Sequence, residues 1–443
     1  MEMDTTFFPG DDGAQVANPS SNDPLAVPRL RRPQRDQVLM EPVCLEDRLA
    51  ADHPARTVWK VVERLDLSAF YAAITARGSE PGRAATDPKL LVGLWLYAAV
   101  DGVGNGRELD RLCREHDAYR WLCGGVSLNY HTLNDFRVGH TAALDDLFTK
   151  VLAMLMHRDV VRVNRISQDG TRVRASAGRS SFRRKRRIEE FLAKARDHVE
   201  ALKQQADEAA EASARKRAAQ ERAARERQSR LEAALAEFPE LEAIKARQRE
   251  DKPSKHREPR VSLTDSDARK MKMGNGGFDP AYNVQIAADT QSRAIVAIDV
   301  TNHGCDSGED ASLRAQIKRR TGRFPDEHLL DGGYLNRKGI EQASTEGVAI
   351  YVPLSPTAGQ GQVCTQNNND PPGVAAWRRR MDSEEGKAIY KLRGSTSETV
   401  NADLKSFRGL HAFTVRGLSK VRCVALWSAL AYNVMHFAKA LMT

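Results

Sequence analysis

Between Arg187 and Phe238 the chain contains neither glycine nor proline, and charged residues and alanine dominate. Such a composition forms helix and little else. Strand patterns stand on both sides of it. Before it, Ser167 to Ala177 alternates, with Val173 and Ala175 on one side and Arg172 and Arg174 on the other. After it come Tyr282-Asn-Val-Gln-Ile-Ala-Ala-Asp and Ala294-Ile-Val-Ala-Ile-Asp-Val-Thr, joined by the short hairpin turn Thr290-Gln-Ser-Arg. The chain must therefore assemble a sheet from strands separated in sequence by a helical insertion, which we bound at residues 183–260. Within it Ile188, Leu192, Ala195, Val199, Leu202, Ala206 and Ala209 follow the four-and-three spacing of a coiled-coil seam, and Leu231, Leu235, Phe238 and Leu241 form a second set. One long helix and an antiparallel hairpin both satisfy this pattern. The alanine-rich middle makes a weak seam for a dimer.

Residues 1–38 are rich in Pro, Asp, Asn and Ser and read as a disordered basic arm ending in Pro28-Arg-Leu-Arg-Arg-Pro-Gln-Arg. Residues 39–161 read as an all-helical domain. Val58, Val61, Val62 and Leu65 recur at helical spacing, and Asp87-Pro88 starts a strongly apolar helix that Gly102-Val-Gly-Asn-Gly ends. Further helices run through Leu109, Leu112 and Tyr119, and from His131 through Phe136 to Leu144, Leu147, Val151 and Leu155. Short helices joined by tight breaks suit a DNA-reading unit; a plain bundle fits the periodicity equally well.

Beyond the hairpin the pattern continues with a helix at Asp310–Arg319, a strand at His328-Leu-Leu-Asp and a helix from Arg337. A strand at Gly347-Val-Ala-Ile-Tyr-Val-Pro, a polar loop at Ser355–Pro372 and an apolar helix from Val421 to Leu441 complete it. With the insertion set aside, three strands able to meander precede alternating helices and strands. That order describes a mixed sheet flanked by helices and matches an α/β core of the ribonuclease-H-like fold, in two parts at residues 162–182 and 261–443.

Three acids stand in distinctive phrases: Asp169 in Ser167-Gln-Asp-Gly-Thr-Arg-Val-Arg-Ala-Ser-Ala, Asp331 in His328-Leu-Leu-Asp-Gly-Gly-Tyr, and Glu398 in Arg393-Gly-Ser-Thr-Ser-Glu-Thr-Val-Asn. The two aspartates end or interrupt strand-like runs, and Glu398 begins a helix-like segment. In the fold named above these three places converge. A formal charge of +9 and a pI near 9.2 point to an acidic partner, most simply nucleic acid. Clustered carboxylates on a basic protein suit Mg2+, two ions of which can serve phosphodiester chemistry. The plainer alternative is that both aspartates are ordinary turn acids before glycine. The six cysteines contain no CxxC pair, so neither a zinc site nor a disulfide framework is expected. No signal peptide is visible, and the longest apolar run, Leu90–Val100, is too short for a bilayer, so a cytoplasmic, nucleoid-associated protein is expected.

These phrases resemble those of DDE transposases of bacterial insertion sequences, in the branch with a helical insertion between the first and second acids. Asp169-Gly-Thr-Arg-Val-Arg-Ala-Ser-Ala is similar to that family's first-acid strand, and Asp331-Gly-Gly-Tyr to its second-acid turn. Asp265-Ser-Asp-Ala-Arg-Lys-Met with Gly277-Phe-Asp-Pro-Ala-Tyr-Asn-Val-Gln resembles the segment after the insertion. Tyr390, Arg393, Glu398 and Lys405 match its tyrosine–arginine–glutamate–lysine signature, and Leu39 to Arg137 resembles its preceding helical domain. The resemblance implies that Asp169, Asp331 and Glu398 are catalytic metal ligands. Tyr390, Arg393 and Lys405 would contact DNA, with Lys405 about 20° from Glu398 around a helix. It further implies cleavage and strand transfer on double-stranded DNA at element ends and target, by a homo-oligomer using two Mg2+ ions, with Mn2+ as a substitute.

Two departures stand out. Four residues separate Arg393 from Glu398 where related branches have three, and Asn401 occupies a place often held by an aromatic residue. A catalytically silent or domesticated DNA-binding protein, and a related nuclease without strand transfer, are the competing expectations. Glu384 and Glu385 are decoys for the third acid. His131 and His303 read as hydrogen-bonded structural residues, Asp306 and Asp310 as acids favouring a helix start, and Trp377-Arg-Arg-Arg as a surface turn with a weaker reading as a base-stacking grip.

Overall fold

In the computed structural model, which describes residues 42, 44–74, 84–206, 214–251, 258–353 and 370–443, seven α-helices precede the first strand. They are α1 (Pro54–Val62), α2 (Ser68–Ala72), α3 (Pro88–Val100), α4 (Gly106–Glu115), α5 (Asp117–Cys123), α6 (Tyr130–Gly139) and α7 (Thr141–His157). Capping chemistry sets their starts. Asp87 accepts the Lys89 amide at 2.9 Å while Pro88 opens α3, and Asn129 accepts the Thr132 amide at 3.0 Å before α6. α3 is buried from Leu90 to Ala99, as its uniformly apolar sequence requires.

The central sheet follows. β1 (Arg165–Arg174) lies between β5 (Phe278–Asp289), antiparallel, and β7 (Glu327–Leu329), parallel. β8 (Ala349–Tyr351) continues the parallel side, while β4 (Arg269–Lys272) and β6 (Ile295–Thr301) pair with successive stretches of β5. β2 (Phe182–Arg183) and β3 (Val261–Ser262) form a separate ribbon at the base of the insertion. The sheet is mixed and flanked by helices, the coarse architecture the element order predicts. The short strand β4 escaped the sequence pattern because Arg269-Lys-Met-Lys carries one apolar residue.

From this ribbon α8 (Lys185–Ala206) and α9 (Ala214–Ala236) run antiparallel, since Lys185 pairs with Glu242 and Arg196 with Glu232. α10 (Phe238–Asp251) follows α9. Ile188, Leu192 and Ala195 bury against Leu231, Ala234, Phe238 and Val261 in a cluster of their own. The expected arm at 1–38 lies outside the described residues, as does the polar loop at Ser355–Pro372 up to residue 369.

The carboxyl-terminal part adds α11 (Glu309–Thr321), α12 (Arg337–Thr345), α13 (Pro372–Asp382), α14 (Glu384–Ser406), α15 (Leu418–His436) and α16 (Ala438–Met442). α15 is buried through most of its length, packing on α3, α7 and β6. Its Asn433, fully buried, takes the place of a further strand: the side chain accepts the Ile295 amide at 3.0 Å and donates to the Ile295 carbonyl at 2.8 Å. One continuous core runs from the amino-terminal helices through β1, β5 and β6 to α15, and a second cluster joins β7 and β8 to α12 and α13. Asp169 is on the strand of the first cluster, and Asp331 follows the strand of the second.

Three readings of single residues need correction. Glu398 lies in the second half of α14 rather than at a helix start, because Ser383, accepting the Gly386 amide at 3.0 Å, begins that helix far upstream. Trp377 is neither in a surface turn nor free to stack: it is buried in α13 and donates to the Val352 carbonyl at 2.9 Å. Asp310 does stand in the first turn of α11, but Asp306 turns away from that helix into the sheet.

Candidate active site

β1 and β7 are parallel with Ser167 opposite Leu329. Two residues further along each chain come Asp169, still within β1, and Asp331, just past the end of β7, so the two acids reach the same end of this strand pair. Each carboxylate is also fixed locally. Asp169 Oδ1 accepts the amide of Gly170 at 3.0 Å, and Asp331 Oδ1 accepts that of Gly333 at 2.7 Å, closing the turn Gly332–Tyr334.

α14 crosses beside this pair. Its Arg393 carries one guanidinium nitrogen, Nη2, 3.7 Å from Asp169 Oδ1 and 3.5 Å from Asp331 Oδ2. A single cationic group thus sits between the two acids. Ser397 meets Ser167 hydroxyl to hydroxyl at 2.6 Å, and Asn401 donates to Asp169 Oδ2 at 3.0 Å. Residues 393, 397 and 401 form one helical stripe, and Tyr390 and Lys405 flank it.

The electrostatics follow from burial. Asp169 is pushed up to about 6, first by desolvation; Arg393 pulls it down and Asp331 pushes it up again. Lys405 is half-buried, and desolvation lowers its pKa against the pull of Asp169. The Tyr390 hydroxyl is raised, chiefly by burial.

Glu398 behaves differently. It is exposed, and lies about 60° around α14 from Asn401. Its carboxylate folds back along its own helix, where a Cβ placed on Gly394 would stand 3.6 Å from Glu398 Oε1. Among the described residues no three His, Cys, Asp or Glu side chains come together as a metal-holding group. The donors that do come together, the Asp169 and Asp331 carboxylates, are hard oxygens already arranged around one positive charge. They fit a divalent cation such as Mg2+; Glu398 stands outside that pair. Glu384 and Glu385 lie in the first turn of α14, about two turns before Arg393. His131 is exposed beside Tyr130, and His303 pairs with Glu309 at 2.7 Å.

Sequence reading passed over several residues that the structure gathers here. Asn401, in sequence a departure from the family pattern, bonds the first aspartate. Asn283 and Gln285 are fully buried amides within β5. Two polar side chains alternating inside an otherwise apolar strand are the signal that identifies such a buried network.

Residues 43–138 match the family model of a transposase domain (DUF772), and residues 359–438 match that of a transposase DDE domain. The second match contains Tyr390, Arg393, Glu398, Asn401 and Lys405, whereas Asp169 and Asp331 lie outside both. No curated protein and no solved structure matches the chain. Among the described residues no helix is long and apolar enough to cross a membrane.

Proposed function

We propose that this chain, identified by its two family matches as a DDE-type transposase of an insertion-sequence family, binds the terminal inverted repeats of its element and carries out strand cleavage and strand transfer. Its catalytic core would be of the ribonuclease-H-like class. The observation that carries the proposal is the meeting of Asp169, within β1, and Asp331, just past the end of the parallel strand β7, around the Arg393 guanidinium.

In this reading Asp169 and Asp331 hold Mg2+ or Mn2+, which when bound supplies Lewis-acid polarisation at phosphorus and a more acidic attacking hydroxyl. Asn401 and the Gly170 amide orient the Asp169 carboxylate, and the Gly333 amide orients that of Asp331. Arg393, Lys405 and Tyr390 line the same stripe of α14 and would receive the DNA backbone. Glu398 is the candidate third acid: it is one turn before Asn401, and it would have to swing from its present place beside Gly394 toward the aspartates to join them. Hydrolysis at an element end and attack by the freed 3′-hydroxyl on target DNA are both in-line displacements, so one site serves both. The amino-terminal helices would read the repeats, and the α8–α9 pair is the proposed contact between copies on DNA.

A second reading is a catalytically silent DNA-binding protein. The exposed position of Glu398, away from the aspartates, favours it.

The deciding experiment is cleavage of a plasmid carrying the gene's native flanks, with Mg2+ or Mn2+, comparing wild type with Asp331→Asn and Glu398→Gln. Metal-dependent nicking at the element ends, lost in both variants while DNA binding persists, supports the three-acid reading. DNA binding without cleavage under either metal leaves the silent reading.

A further inference from the structure

Beneath the two aspartates, on the sheet face opposite α14, lies a polar network that the proposed chemistry does not use. Its centre is Asp306, in the loop between β6 and α11. Asp306 Oδ1 accepts from Asn283 Nδ2 at 2.7 Å and from Gln285 Nε2 at 2.8 Å, and Oδ2 faces Arg172 Nη2 at 3.0 Å. Gln285 Oε1 in turn accepts from Gln168 Nε2 at 2.9 Å and from the Tyr334 hydroxyl. Tyr334, Asn283, Gln285 and Gln168 are all buried.

The network touches the neighbours of both acids. Gly170, next to Asp169, has no room for a side chain, because a Cβ there would overlap Asp306 Oδ1 and the Gln285 amide nitrogen. On the other side, a Cβ on Gly333, two residues after Asp331, would stand 3.6 Å from Asp306 Oδ2. Tyr334 ends the turn that Asp331 caps. A buried carboxylate with three donors is held in one place, since losing any donor leaves a desolvated partner behind.

We infer that Asp306 is a positioning residue: through Gly170 and through Gln285–Tyr334 it registers the second-acid turn against the first-acid strand, and so sets the spacing of the two aspartates. The inference rests on reading Asp169 and Asp331 as a metal-holding pair. Groups that orient metal ligands from behind commonly govern affinity, by about 10- to 100-fold when removed. Asp306 does this without contacting the metal, by fixing backbone.

The test measures Mn2+ binding to the full chain without DNA, by electron paramagnetic resonance, alongside thermal unfolding. The variants are Asp306→Asn, Tyr334→Phe, Asp169→Asn and, as a structural control, Asp265→Asn. Asp265 is also a buried acid bonded to a tyrosine, Tyr282 at 2.7 Å, but it takes no part in this network. We expect Asp169→Asn to abolish binding, and Asp306→Asn and Tyr334→Phe to weaken it about tenfold or more. Whichever way Asp265→Asn shifts the melting temperature, it should stay within twofold of wild-type affinity. Asp306→Asn binding Mn2+ as wild type does, or Asp265→Asn losing as much affinity, overturns the positioning role while leaving the aspartate pair intact. Absent binding in the wild type, or unchanged binding in Asp169→Asn, overturns the metal-holding reading itself and this inference with it.

Discussion

Asn401 donates its side-chain amide to Asp169 Oδ2 at 3.0 Å, joining the last third of α14 to the middle of β1. The bond links residues more than two hundred positions apart and aims one carboxylate oxygen. Replacing Asn401 with Leu keeps the shape and removes the donor. Among the described residues no donor reaches the buried Asn401 Oδ1, so the substitution orphans nothing there. We expect metal-dependent cleavage to fall about tenfold, with a stability loss on the order of 1–2 kcal/mol from the Asp169 oxygen left without its donor. A loss of several kcal/mol in chemical denaturation would make Asn401 a structural residue instead.

Asp169 carries a pH signature. Its folded pKa, raised to about 6 by burial, exceeds the ordinary carboxylate value of 3.8, so the folded state holds the proton more tightly than the unfolded one. The ionised side chain therefore costs stability as pH rises through about 6, on the order of 2–3 kcal/mol at neutral pH. Asp169→Asn should melt higher than the metal-free wild type at pH 8, and the advantage should shrink toward pH 4. A melting-temperature difference that is flat across this range contradicts the assignment.

Arg393 and a divalent ion compete for the same two carboxylates. In Arg393→Gln the aspartates face each other without the guanidinium between them, which lowers metal-free stability. The gain in melting temperature on adding Mn2+ should then exceed that of wild type, since the ion no longer displaces a guanidinium. An equal or smaller gain would mean that Arg393 and metal occupy different places.

Asn433 satisfies both backbone groups of Ile295 at the free edge of β6. Asn433→Leu leaves an amide and a carbonyl buried without partners, each costing about 1–3 kcal/mol. Urea denaturation should report a loss of roughly 2–5 kcal/mol. A loss below about 1 kcal/mol would indicate that water reaches this edge.

What the sequence alone determined is what local chemistry governs. Asp87-Pro88 and Asn129 start helices because their side chains cap the nearest free amides, and β5 and β6 declare themselves by apolar runs around a four-residue turn. The phrases around Asp169, Asp331 and Tyr390–Lys405 are likewise local strings, enough for a family resemblance that the two domain matches support. Tertiary structure decided everything that depends on offset. The Ser167–Leu329 pairing is what carries both aspartates, two residues on, to the same end of the strand pair, and no string records which residue of β1 faces which of β7. The rotation of α14 turns Ser397 and Asn401 inward and leaves Glu398 outside, although all three lie within five residues. A helix advances about 100° per residue, so one position of spacing decides between a buried contact and open solvent. Asp306 reads as a helix-start acid until β5 supplies Asn283 and Gln285, because a hydrogen-bond partner brought by another strand has no signature in the residues beside it.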